Sequence, residues 1–296
     1  MTLPLLLALA ASAPAVADTT RPLPIAAAEA TAAAVPAPGA RHPLATASEA
    51  GMSLTPLLHA EQAIWRDIQR GAFPGAAFAV GRGERTVLED GMGRVGWTLA
   101  DPQVDAENTV YDLASLTKVV ATTTAVMLLV EDGKLDLDRP IDFYLPGFIG
   151  PSKNRVSVRH LLTHTSGLPA GADIWGSPMT AWGQVVATPL IRVPGSRVEY
   201  SDLGFVLLWN VAERAAGEPL WSLLDRRVYA PLGMRSTTFL PGEACARCAP
   251  TGLRPDGVPL RGLVHDPISR RLGGMTGNAG LFSTAHDLGR FAAMLA

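Results

Sequence analysis

Asp112-Leu113-Ala114-Ser115-Leu116-Thr117-Lys118 runs without a break into an apolar segment, Val119 to Val130, and the architecture depends on whether that run is helix or strand. Its β-branched residues fit a strand. Its length argues for a helix, and Glu131-Asp132-Gly133 supplies a C-terminal stop. A helix apolar on nearly every side is predicted to be central and buried. Ser115 and Lys118, three residues apart, then lie on one face, one turn apart, near the helix start.

That placement suggests chemistry. A serine hydroxyl is a poor nucleophile until a base takes its proton. A lysine can be that base where apolar surroundings disfavour its ammonium form, and a helix N-terminus favours negative charge on the serine oxygen. The same residues also fit a serine cap followed by a solvated lysine, because S-x-x-K is a short motif. Ser115 and Lys118 are the one Ser–Lys pair with this spacing in the chain, and the lysine enters an apolar helix where an unpaired charge is costly.

Further out, Tyr200-Ser201-Asp202 precedes a predicted helix over Leu203 to Ala216 that ends at Gly217. A tyrosine near Lys118 could shuttle the proton and later protonate the leaving group. Ser201 or Asp202 could equally cap the helix. Leu54 to Ile68 has helical apolar spacing, Phe73-Pro74-Gly75 marks a turn, and Ala76 to Val80 pairs with Arg85 to Leu88 as a hairpin across Gly81-Arg82-Gly83. Arg159 to Thr163 is predicted as a short helix leading into a loop, and the last helix begins at Ser283 or Thr284 with Asp287 in its first turn.

Four blocks, in order, resemble the β-lactamase-related serine hydrolases: Asp112 to Lys118; Leu161-Leu162-Thr163-His164-Thr165-Ser166-Gly167-Leu168; Tyr200-Ser201-Asp202-Leu203-Gly204; and Gly280-Leu281-Phe282-Ser283-Thr284-Ala285 with Asp287-Leu288. That family includes class C β-lactamases, DD-carboxypeptidases and esterases. The resemblance runs from about Met52 to the end of the chain. It implies an α/β fold of the serine β-lactamase/DD-peptidase type, a mixed sheet with flanking helices plus a helical domain, and the active site between the two. It also implies an acyl-enzyme mechanism, with Ser115 attacking an amide, ester or β-lactam carbonyl, Lys118 and Tyr200 managing the proton, and Asp202 at a substrate-binding position. No cofactor and no metal is implied.

Three departures qualify the resemblance. The family's second motif usually ends in Asn, whose amide donates to a substrate carbonyl, whereas an ionised Asp202 cannot donate. A carboxylate facing Lys118 would also favour its ammonium form and weaken it as a base, so ester or peptide substrates are expected ahead of β-lactams. The family's third motif, Lys or His, then Thr or Ser, then Gly, is missing; Met275-Thr276-Gly277 comes nearest but precedes the Gly280 block. In the family that strand supplies one oxyanion-hole N–H, a loss worth ~10²–10³ in rate. Finally, the chain stops within its last helix, so the C-terminal strands of the fold are expected to be missing and the chain to be a truncated version of a longer protein.

Composition sets the outer bounds. With 48% apolar and 18% charged residues a sizeable core is available, and a net charge of -2 gives no reason to expect a nucleic-acid partner. Leu3 to Ala11 followed by Ala15-Val16-Ala17 has the shape of a secretory signal peptide, although no Lys or Arg precedes the apolar stretch. The organisation expected is a signal peptide over 1–17, an Ala/Pro-rich linker over 18–50 and a partial hydrolase domain over 51–296. The product would be periplasmic or secreted, with no stable membrane insertion after cleavage. Cys245 and Cys248 are read as two unpaired thiols or a minor local bridge closing a tiny loop. His160 and His164 stand four apart on a predicted helix, but Leu161 occupies the place where a zinc-protease motif needs Glu, so a structural reading is preferred. His265-Asp266 is read as a local turn. The expected partner is a small-molecule or peptidoglycan-peptide substrate, and oligomeric state is unreadable. The competing possibilities are a non-catalytic penicilloyl- or peptide-binding module and an inactive fragment.

Overall fold

Gly83 and Glu84 turn the chain between two strands, β1 (Gly75–Arg82) and β2 (Arg85–Gly93), which pair antiparallel with an irregularity at Val80/Gly81. These belong to a computed structural model that describes residues 44–296. The expected signal peptide, and the linker up to residue 43, lie outside the described residues. Residues 44–50, expected as the end of the linker, are among the described residues. Leu44–Glu49 forms a helix (α1), Ala47 is buried, and Arg82 Nη1 reaches back to the Gly51 carbonyl at 2.9 Å. A single helical turn in Ala-rich sequence has too little periodicity to be read. The amphipathic helix that follows, α2 (Leu54–Gln69), packs on β2 with α1.

The second sheet has three antiparallel strands in the order β3 (Tyr111–Asp112), β7 (Leu281–Ser283), β4 (Thr238–Phe239). A separate hairpin joins β5 (Gly252–Leu253) to β6 (Pro259–Leu260). Among the described residues, the parallel pairing is the bridge between Val110 and Cys248. Cys245 and Cys248 form a disulfide with Cα atoms 5.4 Å apart, which resolves the two readings in favour of the bridge.

Most of the core is helical. The segment after β3 starts as a 3₁₀ turn (Ala114–Leu116), continues as a π-helical stretch (Lys118–Thr123) and ends as α3 (Thr124–Glu131). It is not buried all round. Val120, Ala121, Ala125, Val126 and Leu129 enter the core, while Leu116, Val119 and Met127 are about half exposed. The expectation of full burial fails because a helix on the rim of a domain keeps a solvent-facing stripe whatever its composition.

Around it lie α4 (Val158–Leu162), α5 (Pro178–Ala187), α6 (Asp202–Ala216), α7 (Leu220–Leu224) and the short α8 (Ala230–Leu232). Helix α6 is the hub, buried from Leu203 to Trp209, with Ser201 as N-cap and Gly217 as C-cap. Helix α9 (Pro267–Arg271) is capped by Asp266, and α10 (Ala285–Leu295) by Thr284. Asp287 does more than favour the helix dipole. Buried, it accepts from Ser236 N and Thr237 Oγ1 at 2.7 and 2.9 Å and ties α10 to the segment before β4.

Helix α10 lies on the β1–β2 hairpin, and a slot of about 440 Å³ opens between β1 and the β3–β7 pair. Its lining includes Ala77, Ala79, Tyr111, Leu113 and Leu288. The β1 edge that does not face β2 pairs with no strand among the described residues.

Candidate active site

Ser115 is aimed by the strand that precedes it. Strand β3 pairs with β7, and Leu113 N donates to Leu281 O at 2.9 Å. Ala114 then takes a left-handed conformation, φ 45°, which costs a residue with a Cβ roughly 1 kcal/mol or more. The strain is held by Asp112, whose Oδ1 accepts from Ala114 N at 2.9 Å and whose Oδ2 accepts from His265 N at 2.7 Å. Ser115 is thereby left exposed on the first turn of the helix.

One turn on, Lys118 is only 4% exposed. Its Nζ donates to Ser115 Oγ at 3.0 Å, Asp202 Oδ1 at 2.6 Å and the Asn278 carbonyl at 3.0 Å. Three acceptors match the three N–H bonds of an ammonium. The aromatic faces of Tyr200 and Phe205 complete the surround, 4.8 and 5.8 Å from Nζ to the ring centroids. The π-helical stretch, an arrangement frequent at functional sites, begins at Lys118.

The four residues singled out in the sequence thus converge: Ser115, Lys118 and Asp202 by hydrogen bonds, Tyr200 by its ring. The phenol of Tyr200 makes no hydrogen bond to Ser115 or Lys118 among the described residues, and Tyr200 is half exposed. Asp202 faces Lys118, the condition under which its carboxylate favours the ammonium form.

Two further contributors were not legible. Asn278 is fully buried, and its carbonyl is the third acceptor for Lys118. Its side chain is held by Thr276 Oγ1 and Asp266 Oδ1, at 2.7 and 3.0 Å. The nearest candidate for the third motif, Met275-Thr276-Gly277, lies in this supporting loop and not on a strand beside Ser115. Gly277 O accepts from Thr122 Oγ1, and a Cβ at Gly277 would sit 2.1 Å from Phe205 O. The signal available was the glycine spacing just before Gly280.

The other is His164, which leaves the helix and sits at φ 56°. Its ring stacks on Tyr200 and Phe205, with centroids 4.3 and 5.0 Å away. Burial, and then the Lys118 charge, hold its pKa below the ordinary value, opposed by Asp202. His160 takes part in a capping box with Ser157, so the two histidines do not share a site. Asp266 caps α9 and forms the local turn expected.

A different trio, Glu89, Glu107 and His286, brings its ligand atoms within 4.8 Å of one another. Both imidazole nitrogens are already engaged. Nδ1 faces Glu89 at 3.0 Å, and Nε2 accepts from Arg290 Nε at 3.0 Å. The His286–Glu89 contact is a polar staple between α10 and β2, with Glu107 beside it.

The candidate site is thus a serine in contact with a buried lysine one turn away, with a tyrosine ring and a carboxylate brought in from the start of α6. The chain belongs to the Beta-lactamase family, whose model matches residues 59–296. It is 34% identical over 222 residues to the "Putative D-alanyl-D-alanine carboxypeptidase" of Salmonella typhimurium, covering 64% of this chain and 51% of that protein. The chain spans about half the length of the curated relatives it matches. Among solved structures, it resembles the octameric penicillin-binding protein homologue from Pyrococcus abyssi, with a TM-score of 0.64 and 27% identity over 79% of this chain and 55% of that one. It also resembles the β-lactamase/D-alanine carboxypeptidase from Yersinia pestis, with a TM-score of 0.59 and 26% identity over 74% and 62% of the two chains.

Proposed function

We propose that this chain carries the nucleophile of a serine acyl-transfer enzyme that hydrolyses ester or peptide carbonyls in the cell envelope, with D-alanyl peptides as substrate class. The observation that carries the reading is the contact of exposed Ser115 with buried Lys118, completed by Asp202 from 84 positions further on. Similarity to proteins named as D-alanyl-D-alanine carboxypeptidases supports the substrate class. The signal-like N-terminus supports export.

In this reading Ser115 Oγ bonds to the carbonyl carbon and its proton leaves by way of the Lys118–Tyr200 pair. The leaving amine or alcohol departs protonated, and water then cleaves the acyl-serine ester to a carboxylic acid. Lys118 takes the Ser115 proton across their 3.0 Å contact, opposed by Asp202, whose carboxylate at 2.6 Å favours the ammonium form. The half-exposed Tyr200 lies on the solvent side of the lysine, where a leaving group would collect its proton.

Labelling with a fluorophosphonate and with a fluorescent penicillin, together with p-nitrophenyl ester hydrolysis, tests this on the wild type and Ser115→Ala. Label and turnover that both vanish in the variant support the enzyme. Label on Ser115→Ala equal to wild type would sink the assignment. The three acceptors that hold Lys118 favour a second reading, an acyl-binding module. It would give label on Ser115 without release.

A further inference from the structure

His164 makes three contacts with residues 199 to 201. Glu199 N donates to the His164 carbonyl at 2.8 Å. Ser201 N donates to His164 Nδ1 at 3.0 Å. The ring between these two anchors lies against the Tyr200 ring, with 31° between the planes. One residue therefore holds the backbone before Tyr200, the backbone after it and the side chain itself.

We propose that His164 is a positioning residue that holds the Tyr200 ring over Lys118 by clamping residues 199 and 201. The inference rests on the reading of Ser115, Lys118 and Tyr200 as an acyl-transfer site. Three further features fit it. The left-handed backbone at φ 56° is a strain that a β-carbon residue keeps where its surroundings demand it. His164 Nδ1 must be unprotonated to accept from Ser201 N, and burial together with the Lys118 charge keeps the imidazole neutral. The stack continues to Phe205 at 5.0 Å, which also faces Lys118, so the imidazole packs between the two aromatic walls of the lysine. The ionisable groups facing the ring are Lys118, Asp202 and Tyr200.

The experiment compares wild type with His164→Gly and His164→Asn. Glycine accepts the left-handed backbone but removes both ring and acceptor; asparagine tolerates the backbone and keeps a side-chain acceptor. The four tyrosines are replaced by 3-fluorotyrosine, and the Tyr200 line in the ¹⁹F spectrum is assigned by its loss in Tyr200→Phe. His164→Gly should shift or broaden the Tyr200 line and leave the other three in place. It should also lower kcat on a p-nitrophenyl ester by roughly 10²-fold, the scale of an ångström-size misplacement, with KM little changed and fluorophosphonate labelling of Ser115 retained. His164→Asn should recover part of both losses. An unmoved Tyr200 line in His164→Gly overturns the inference whatever the activity. A moved line in a protein whose wild type shows no turnover upholds the positioning role and sinks only the enzymatic reading.

Discussion

Of the three acceptors around Lys118, a serine hydroxyl, a carbonyl and a carboxylate, only Asp202 can take a proton from it. Asp202→Asn keeps an acceptor at 2.6 Å from Nζ and adds an amide donor towards the open side of the site. Acylation of Ser115 by penicillin should rise about tenfold, the worth of one added hydrogen bond. Stopped-flow labelling would measure it, and a slower reaction would show that the carboxylate is needed as a proton store. His164 supplies a pH dependence. Its folded pKa lies below 6.5, so the folded chain binds fewer protons than the unfolded one between the two values. Its contribution to stability is complete above about pH 6.5 and is lost as pH falls through the depressed value. Denaturant midpoints from about pH 5 to 8 should fall more steeply on the acid side for wild type than for His164→Asn; parallel curves would refute it. At this scale the site was largely legible, because Ser115 and Lys118 are neighbours in one helical turn and Tyr200 and Asp202 belong to a short block. His164 was read as structural because nothing local says that its ring turns towards residue 200.

The elements show why the second block exists. The loop from His164 to Ala170 is bonded along its length to residues 191–202. Ile191 N donates to Gly167 O, Gly195 N to Thr165 O, Ser201 Oγ to Pro169 O and Asp202 N to Ala170 O, all at 2.7–2.8 Å. It is a template that sets the start of α6, and so the height of Asp202 beside Lys118. Gly167 is the closest approach. At φ 83° and with a Cβ position only 2.2 Å from Arg192 O, it has no room for any side chain. Gly167→Ala should cost about 3 kcal/mol and lower turnover with it, seen as a drop in denaturant midpoint. An unchanged midpoint would mean that the loop is not the template. Helix existence was readable here from caps: Ser201 and Gly217 bracket α6, and Thr284 opens α10. The 3₁₀ and π turns that bracket Ser115 and Lys118 were not, because they answer to β7 and to the Asn278 loop, far along the chain.

For the whole molecule, the slot between β1 and β3 leaves the Tyr111 hydroxyl buried with no hydrogen-bond partner among the described residues, and burial pushes its pKa up to about 12. An unsatisfied buried hydroxyl costs about 1–3 kcal/mol. Tyr111→Phe should therefore raise the unfolding free energy of the chain by about 1 kcal/mol; a loss of that size would show that the hydroxyl is bonded in solution. The sequence by itself determined the family, the candidate residues and most of the helices, because capping, spacing and glycine stops act within a few residues. Tertiary structure alone decided which acceptors surround Lys118, that Cys245 and Cys248 are bridged, and that His164 clamps Tyr200. It also decided that the helix after Ser115 keeps an open face. Each of these depends on chain segments brought together across the fold, and the free energy of such contacts depends on distance and desolvation, which neither residue type nor spacing encodes.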